Sequence, residues 1–415
     1  MKEFNKRIYG TISHVIEKGI MPNLVIKDSV AYIVDPVYDI TRDRVNAECV
    51  KAMVRVNDAN GKDYMDIIEK ILNRLVQKQN PDGSWNEVHV KYNQPSALIT
   101  AIVGEALIDG YVALKKNGIE NSINRAKDFV LQNEVSPGFF KKSSIYVADH
   151  LNVDATCAAF LAKYGKVFSD NECLEAAERT ARHICDYQFP NGAFPYTSQE
   201  KGNYQYHLQI PCIHYQGVTI YYLIKIQGVL EVGWLDPYLK KGIEWLASVQ
   251  NENGSFDWSK SGLMFAYYLS GAYAFAISSF IYGSKWDAAY EYNAKKALEV
   301  LEANIDSVAN RWERASLYNL PFSVFSTMRT AFIGEYPFMH RMYRFGYGMY
   351  RQTARRRFLK TVNPRVFNFL SSIMGINAST IEPDNNFPDL FMTSEVLDCL
   401  SYSLSKFSDK MEIIS

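Results

Sequence analysis

The chain has 415 residues, with 45 Lys plus Arg against 45 Asp plus Glu, and Tyr and Phe are unusually plentiful. That balance excludes a global field that would recruit nucleic acid or an anionic membrane, and no nucleic-acid-binding module is recognisable. The six cysteines (Cys49, Cys157, Cys173, Cys185, Cys212 and Cys399) show neither CxxC pairing nor metal-ligand spacing, which fits a reduced, cytoplasmic protein with buried thiols and no resident metal or cofactor.

The amino-terminal Met1-Lys-Glu-Phe-Asn-Lys-Arg is not followed by an apolar h-region, so no secretory signal is expected. No run of about 18 apolar residues is expected to span a bilayer. Met1–Asn57 reads as an atypical first repeat. Met65–Val76 then places apolar residues at helical spacing with charges between them. Pro81-Asp-Gly83 breaks that helix. Pro95–Leu107 is apolar on nearly all sides, as suits a helix buried within an assembly. The alternation recurs in Ile119–Asn133 with Val153–Tyr164, in Cys173–Gln188 with His214–Val232, and in Tyr238–Gln250 with Gly262–Tyr282. A fifth unit pairs Ala288–Asp306 with helical sequence beyond Pro321.

Four of the predicted outer helices end in one related phrase. The copies are Gln79-Asn-Pro-Asp-Gly83-Ser-Trp85, Gln132-Asn-Glu-Val-Ser-Pro-Gly138-Phe139, Gln188-Phe-Pro-Asn-Gly192-Ala-Phe194 and Gln250-Asn-Glu-Asn-Gly254-Ser-Phe256. Their glycines stand 55, 54 and 62 residues apart, a period that suits a helical hairpin with a sizeable loop. The Gly permits a positive φ, the aromatic packs between hairpins, and the Gln satisfies exposed helix-end groups. The phrase is therefore read as scaffold.

These Gln-x-x-x-Gly-Ser-Trp turns resemble those of the α/α-toroid proteins: terpenoid cyclases and prenyltransferases, six-hairpin glycosidases, polysaccharide lyases and uronyl epimerases. The resemblance covers residues 60–310. It implies an all-α chain, an (α/α) toroid of about five to six hairpins over 1–362, with an appended helical and loop extension over 363–415.

In such a toroid the segments joining each turn to its inner helix converge at one mouth. Four of the seven histidines fall there: His89, His150, His207 and His214. Three chemistries compete. Proton abstraction beside a carboxylate, as in uronate lyases and epimerases, needs a positioned base and a neutralising group. The resemblance implies Asn, His, Tyr and Arg in those roles, for which His150, His207 and Tyr215 are the acid/base candidates, with Asn152 and Arg329 neutralising the carboxylate. Glycoside hydrolysis needs two carboxyl groups, available among Glu87, Asp149, Asp154 and Asp257. Asp154 equally suits a helix cap and Asp149 a solvated loop acid. Isoprenoid chemistry lacks its DxDD and DDxxD motifs. His89, Tyr92, Asp149, Tyr204, Tyr206, His214, Trp258, Arg329, Arg341 and Arg344 are the candidate substrate-binding residues.

Residues 311–365 carry eleven basic side chains against Glu313 and Glu335. Arginine with interleaved aromatics suits an acidic glycan, and 339–357 also suits a peripheral membrane or protein contact. The expected function is a carbohydrate-active enzyme acting on a uronate-containing oligo- or polysaccharide by lyase or epimerase chemistry. A glycoside hydrolase and a non-catalytic glycan- or protein-binding toroid are the alternatives.

Overall fold

The computed structural model describes residues 2–35, 40–57, 62–89, 92–115, 118–144, 146–198, 211–256, 269–303 and 390–407. Six helices form an inner ring: α2 (Asp43–Val56), α4 (Ala97–Leu114), α6 (Leu151–Phe168), α8 (Ile213–Leu230), α10 (Leu269–Gly283) and α12 (Leu390–Phe407). Each packs on the next, and α12 packs on both α10 and α2, which closes the ring. Around it stand α1 (Lys2–Val15), α3 (Met65–Lys78), α5 (Glu120–Gln132), α7 (Asn171–Asp186), α9 (Asp236–Ser248) and α11 (Ala289–Glu302). The ring is thus made of hairpins whose first helix lies outside and whose second lies inside.

Patterning explains which helix goes where. Outer α3 buries Ile68, Ile71, Leu72 and Leu75, one stripe at helical spacing. Inner α4 buries nearly every residue from Ala97 to Ile108. By length and composition α4 is apolar enough to cross a membrane, contrary to the expectation that no such run exists; 67% of it is buried inside the ring instead. All six cysteines are buried free thiols.

The last inner helix departs from expectation. Leu390–Phe407 falls in the segment expected to form an appended extension, yet it occupies the sixth inner position. The helical sequence beyond Pro321 and the 362/363 boundary lie outside the described residues.

The turns act as rivets between neighbouring outer helices. Gly83, Gly138, Gly192 and Gly254 all have φ between 83° and 92°. A Cβ on Gly192 would lie 2.0 Å from the Lys241 carbonyl oxygen of α9, so both backbone conformation and close approach require glycine there. Gln188 Nε2 donates to the Gly192 and Tyr238 carbonyls, each at 2.9 Å. Gln79 bridges Gly83 and Ser122 in the same way, and Gln250 bridges Gly254 and Asn293.

The second copy differs from its sequence alignment. Glu134, not Gln132, stands four residues before the glycine; it accepts from the Gly138 amide at 2.8 Å and pairs with Arg179 of α7. A carboxylate has no proton to donate, so a cation on the next outer helix replaces the amide bridge. The matching aromatic is Phe140 rather than Phe139. In each copy the amide two residues after the glycine donates to a side chain in the first turns of the following inner helix. The pairs are Trp85 to Thr100 Oγ1 (3.0 Å), Phe140 to Asp154 Oδ1 (2.7 Å), Phe194 to Gln216 Oε1 (2.6 Å) and Phe256 to the Tyr273 hydroxyl (3.3 Å).

Candidate active site

The connections reach the amino-terminal ends of the inner helices and enclose a cavity there. The antiparallel hairpin β1 (Trp85–His89) and β2 (Tyr92–Ser96) leads into α4. The cavity is lined by Glu87, Lys142 and Tyr196 from the connections, with Arg44, Asn152, His214, Tyr215, Tyr222, Phe391 and Glu395 from the helices. Its volume is about 50 Å³, room for a few water molecules.

One ionic chain forms its base. His214 Nε2 lies 2.9 Å from Glu395 Oε2, and Arg44 pairs with the other oxygen of the same carboxylate. Arg44 Nε also donates to Glu48 Oε1 at 2.8 Å, and its guanidinium lies 4.2 Å from the centre of the Phe391 ring. Ser394 Oγ donates to Glu48 Oε2 at 2.6 Å. Burial pushes Glu395 upward, but the charges of His214 and Arg44 outweigh it and hold the carboxyl below its usual value. Glu48, for which burial prevails, rises to about 6. The ionised Glu395 carboxylate is therefore the acceptor for Nε2–H of His214.

An aromatic run crosses the cavity wall. His150 meets Tyr196 edge-on with centroids 4.9 Å apart, Tyr196 stacks on Tyr215 at 4.3 Å, and Tyr215 meets the edge of His214 at 5.0 Å. His150 is buried, with Nδ1 2.7 Å from the Ala148 carbonyl oxygen. Burial raises the Tyr196 phenol, so it stays protonated at neutral pH. Asn152 is 8% exposed, and its Oδ1 is buried without a hydrogen-bond donor among the described residues.

Of the expected site residues, Asn152, His214 and Tyr215 line the cavity, and His150 stands one ring behind it. Asp154 is aimed elsewhere: it takes the same structural position as Thr100 and Gln216 in accepting a turn amide. Asp149 faces His183 of α7, not the cavity. Glu87 lines the cavity paired with Lys142 at 2.9 Å. His89 and Tyr92 belong to the hairpin. His207, Tyr204, Tyr206, Asp257, Trp258, Arg329, Arg341 and Arg344 lie outside the described residues.

Sequence reading missed Arg44, Tyr196 and Glu395. Arg44, Glu48, Lys51 and Arg55 do carry a signal, because their spacing puts four charges on one face of α2, a helix whose other residues are largely buried. Below the cavity that face continues into the axis of the ring. Lys51 Nζ lies 2.8 Å from Asp398 and 3.1 Å from Glu105; Arg55 pairs with Asp398 at 2.7 Å; Lys225 pairs with Glu105; Lys163 pairs with Asp109. From Arg44 to Lys163, five cations face five carboxylates down the ring.

No protein-family model and no curated protein matches the chain. Solved structures do. Cellobiose 2-epimerase from Bacillus thermoamylovorans superposes with a TM-score of 0.56 at 12% identity, over 74% of this chain and 88% of that one. The type II terpene cyclase MstE from Scytonema, in complex with geranylgeranyl dihydroxybenzoate, gives 0.53 at 11% identity over 97% and 99%. The GH76A α-1,6-mannanase from Salegentibacter gives 0.50 at 11% identity over 76% and 88%. The chain is an (α/α) toroid. At these identities the likeness is one of fold, and the toroid's site must be read from its own residues.

Proposed function

We propose that this toroid is a carbohydrate-active enzyme that inverts or isomerises a neutral reducing saccharide by proton transfer at the carbon beside the carbonyl. The observation that carries the reading is His214, held by Glu395 at 2.9 Å, beside the Asn152 amide oxygen on a tyrosine-lined wall. In the open-chain sugar the C2 proton is acidified by the C1 aldehyde. His214 Nδ1 removes it, the electron pair passes into an enediolate whose negative charge rests on O1, and the imidazolium is stabilised through Nε2–H by the Glu395 carboxylate. Asn152 Oδ1 accepts from a sugar hydroxyl. The Tyr215 hydroxyl, on the same wall, returns a proton to carbon, and exchange through solvent carries the proton on His214 back to the phenolate. Solved epimerases that share the fold support the reading at the level of scaffold.

A neutral sugar is favoured over a uronate. Among the described residues the lining cations Arg44 and Lys142 already face carboxylates, and the arginines on which an acidic ligand was expected to rest lie outside them. A long isoprenoid is disfavoured by the charged axis, since an apolar chain laid along it would strip those groups of partners. Ligand cavities usually exceed about 300 Å³, so binding requires the walls of this one to part.

The test is solvent exchange. Cellobiose, lactose, glucose and N-acetylglucosamine are incubated with the protein in D₂O and followed by NMR. Deuterium should enter at C2 of at least one sugar, with appearance of its epimer or ketose. His214→Gln should slow that exchange by about 10²–10⁴-fold. Sugar binding without any exchange would make the protein a glycan-binding toroid and overturn the proposal.

A further inference from the structure

Beneath the second turn, outside the mouth cavity, Asp149, Asp154 and His183 each bring a ligand atom within 4.8 Å of the others. Asp149 precedes α6, Asp154 lies in its first turn, and His183 projects from α7. The two acids are 2% and 0% exposed. Asp149 Oδ2 lies 3.0 Å from His183 Nε2, and Asp154 Oδ1 accepts from the Phe140 amide. The remaining oxygens, Asp149 Oδ1 and Asp154 Oδ2, are buried and meet no well-aligned donor among the described residues; the two carboxyl groups stand within reach of each other, with the Ser198 hydroxyl beside Asp149. Ser198 belongs to the same patch, because its amide donates to the Asp149 carbonyl at 3.0 Å.

Two carboxyl groups at this depth require a counter-charge or a proton. The turn itself does not demand them. At the matching position the first and third repeats use the neutral side chains Thr100 and Gln216 for the same amide. A second acid here is thus surplus to the scaffold and suits a bound cation. On the outer side His183 lines an open surface groove with Glu175, Glu178, Asp186, Arg179 and Arg182.

We propose that Asp149, Asp154 and His183, with the Ser198 hydroxyl, bind one divalent transition-metal ion that clamps the mouth. One imidazole nitrogen with carboxylate oxygens suits Zn²⁺ or Mn²⁺ better than the all-oxygen ions Mg²⁺ and Ca²⁺. The clamp acts through the two connections it joins. His150 and Thr197 form a bridge, and the Leu151 amide donates to the Tyr196 carbonyl at 3.3 Å. Those same connections deliver Asn152 and Tyr196 to the cavity, so the ion ties outer helix α7 to two cavity residues.

The purified full chain is stripped with chelator and titrated with Zn²⁺, Mn²⁺ and Mg²⁺ by calorimetry, with metal content and thermal midpoint measured in parallel. One equivalent of Zn²⁺ or Mn²⁺ should bind and raise the midpoint, and Asp154→Asn and His183→Ala should each weaken binding about tenfold or more. Asp154→Asn separates the alternatives, because its amide reproduces a neutral donor to Asp149. If the acids merely share a proton, this variant keeps the midpoint of the stripped parent and neither protein takes up an ion, which overturns the proposal. Equal uptake by parent and variant overturns it too. Should Asp154→Asn fail to fold, absence of uptake by the parent alone, with its midpoint unmoved by chelator, is decisive.

Discussion

The mouth and the axis of the ring are built from the same residue types on the same helices, yet they are organised differently. In the axis, Lys51 is fully buried between Glu105 and Asp398, and Asp398 also holds Arg55. At the mouth, an amide oxygen on Asn152 is buried without a donor beside a histidine–carboxylate pair. Compensated charge specifies how the six helices meet, whereas an uncompensated polar atom is a cost with no structural return. In the axis Lys225 Nζ and Asp109 Oδ2 also lack hydrogen-bond partners among the described residues, but each stands in an ion pair; the Asn152 oxygen stands in none, which marks the mouth as the candidate site.

The comparison breaks if the axis proves dispensable. Lys51→Met should cost about 3–5 kcal/mol in urea unfolding, since Glu105 and Asp398 both lose a shared buried cation. A loss under about 1 kcal/mol would mean that the network does not organise the ring.

Lys225 sharpens the point within the axis. Burial opposes the charge on both lysines. For Lys51 the carboxylates of Asp398 and Glu105 overcome it and the pKa rises; for Lys225, which shares Glu105 with Lys51, burial wins and the pKa falls from 10.5 to about 8. Between those two values the unfolded chain retains a proton that folded Lys225 has released, so stability rises with pH across that window. The stability of the parent relative to Lys225→Met should therefore increase by roughly 3 kcal/mol from pH 7 to 10.5. A flat difference in paired urea titrations would sink the assignment.

The smallest expected effect has the opposite sign. Asn152→Leu at the mouth should stabilise the fold by about 1 kcal/mol, because it removes an unsatisfied buried group. The same change should lower C2 exchange about tenfold, by loss of one substrate hydrogen bond of roughly 1.4 kcal/mol. If it destabilises the fold as Lys51→Met does, mouth and axis are not distinct.

The hairpin architecture was legible because its determinants are local. Glycine at a positive φ, the glutamine four residues before it, and the contrast between striped outer and apolar inner helices all act within one repeat. Even there local reading slipped at Gln132 and Phe139, where Glu134 and Phe140 hold the corresponding positions through a contact with Arg179 that no turn motif announces. Reading downstream of the turns found His214, Tyr215 and Asn152, since each repeat delivers its connection to the same end of the ring. It also gathered Asp149 and Asp154, whose side chains turn outward. One residue of register in a first helical turn rotates a side chain by about 100°, enough to move it from cavity to wall.

Through α11 the order of the elements, their inner or outer position and the end of the ring that gathers polar groups follow from the sequence by itself; the sixth inner helix does not. Which charges meet was decided only in three dimensions. Glu395 reaches His214 across 181 residues, and Asp398 reaches Lys51 across 347. Neither encounter leaves a local pattern, because both depend on Leu390–Phe407 closing the ring between α10 and α2. Short-range chemistry sets the hairpins, and ring closure sets the site.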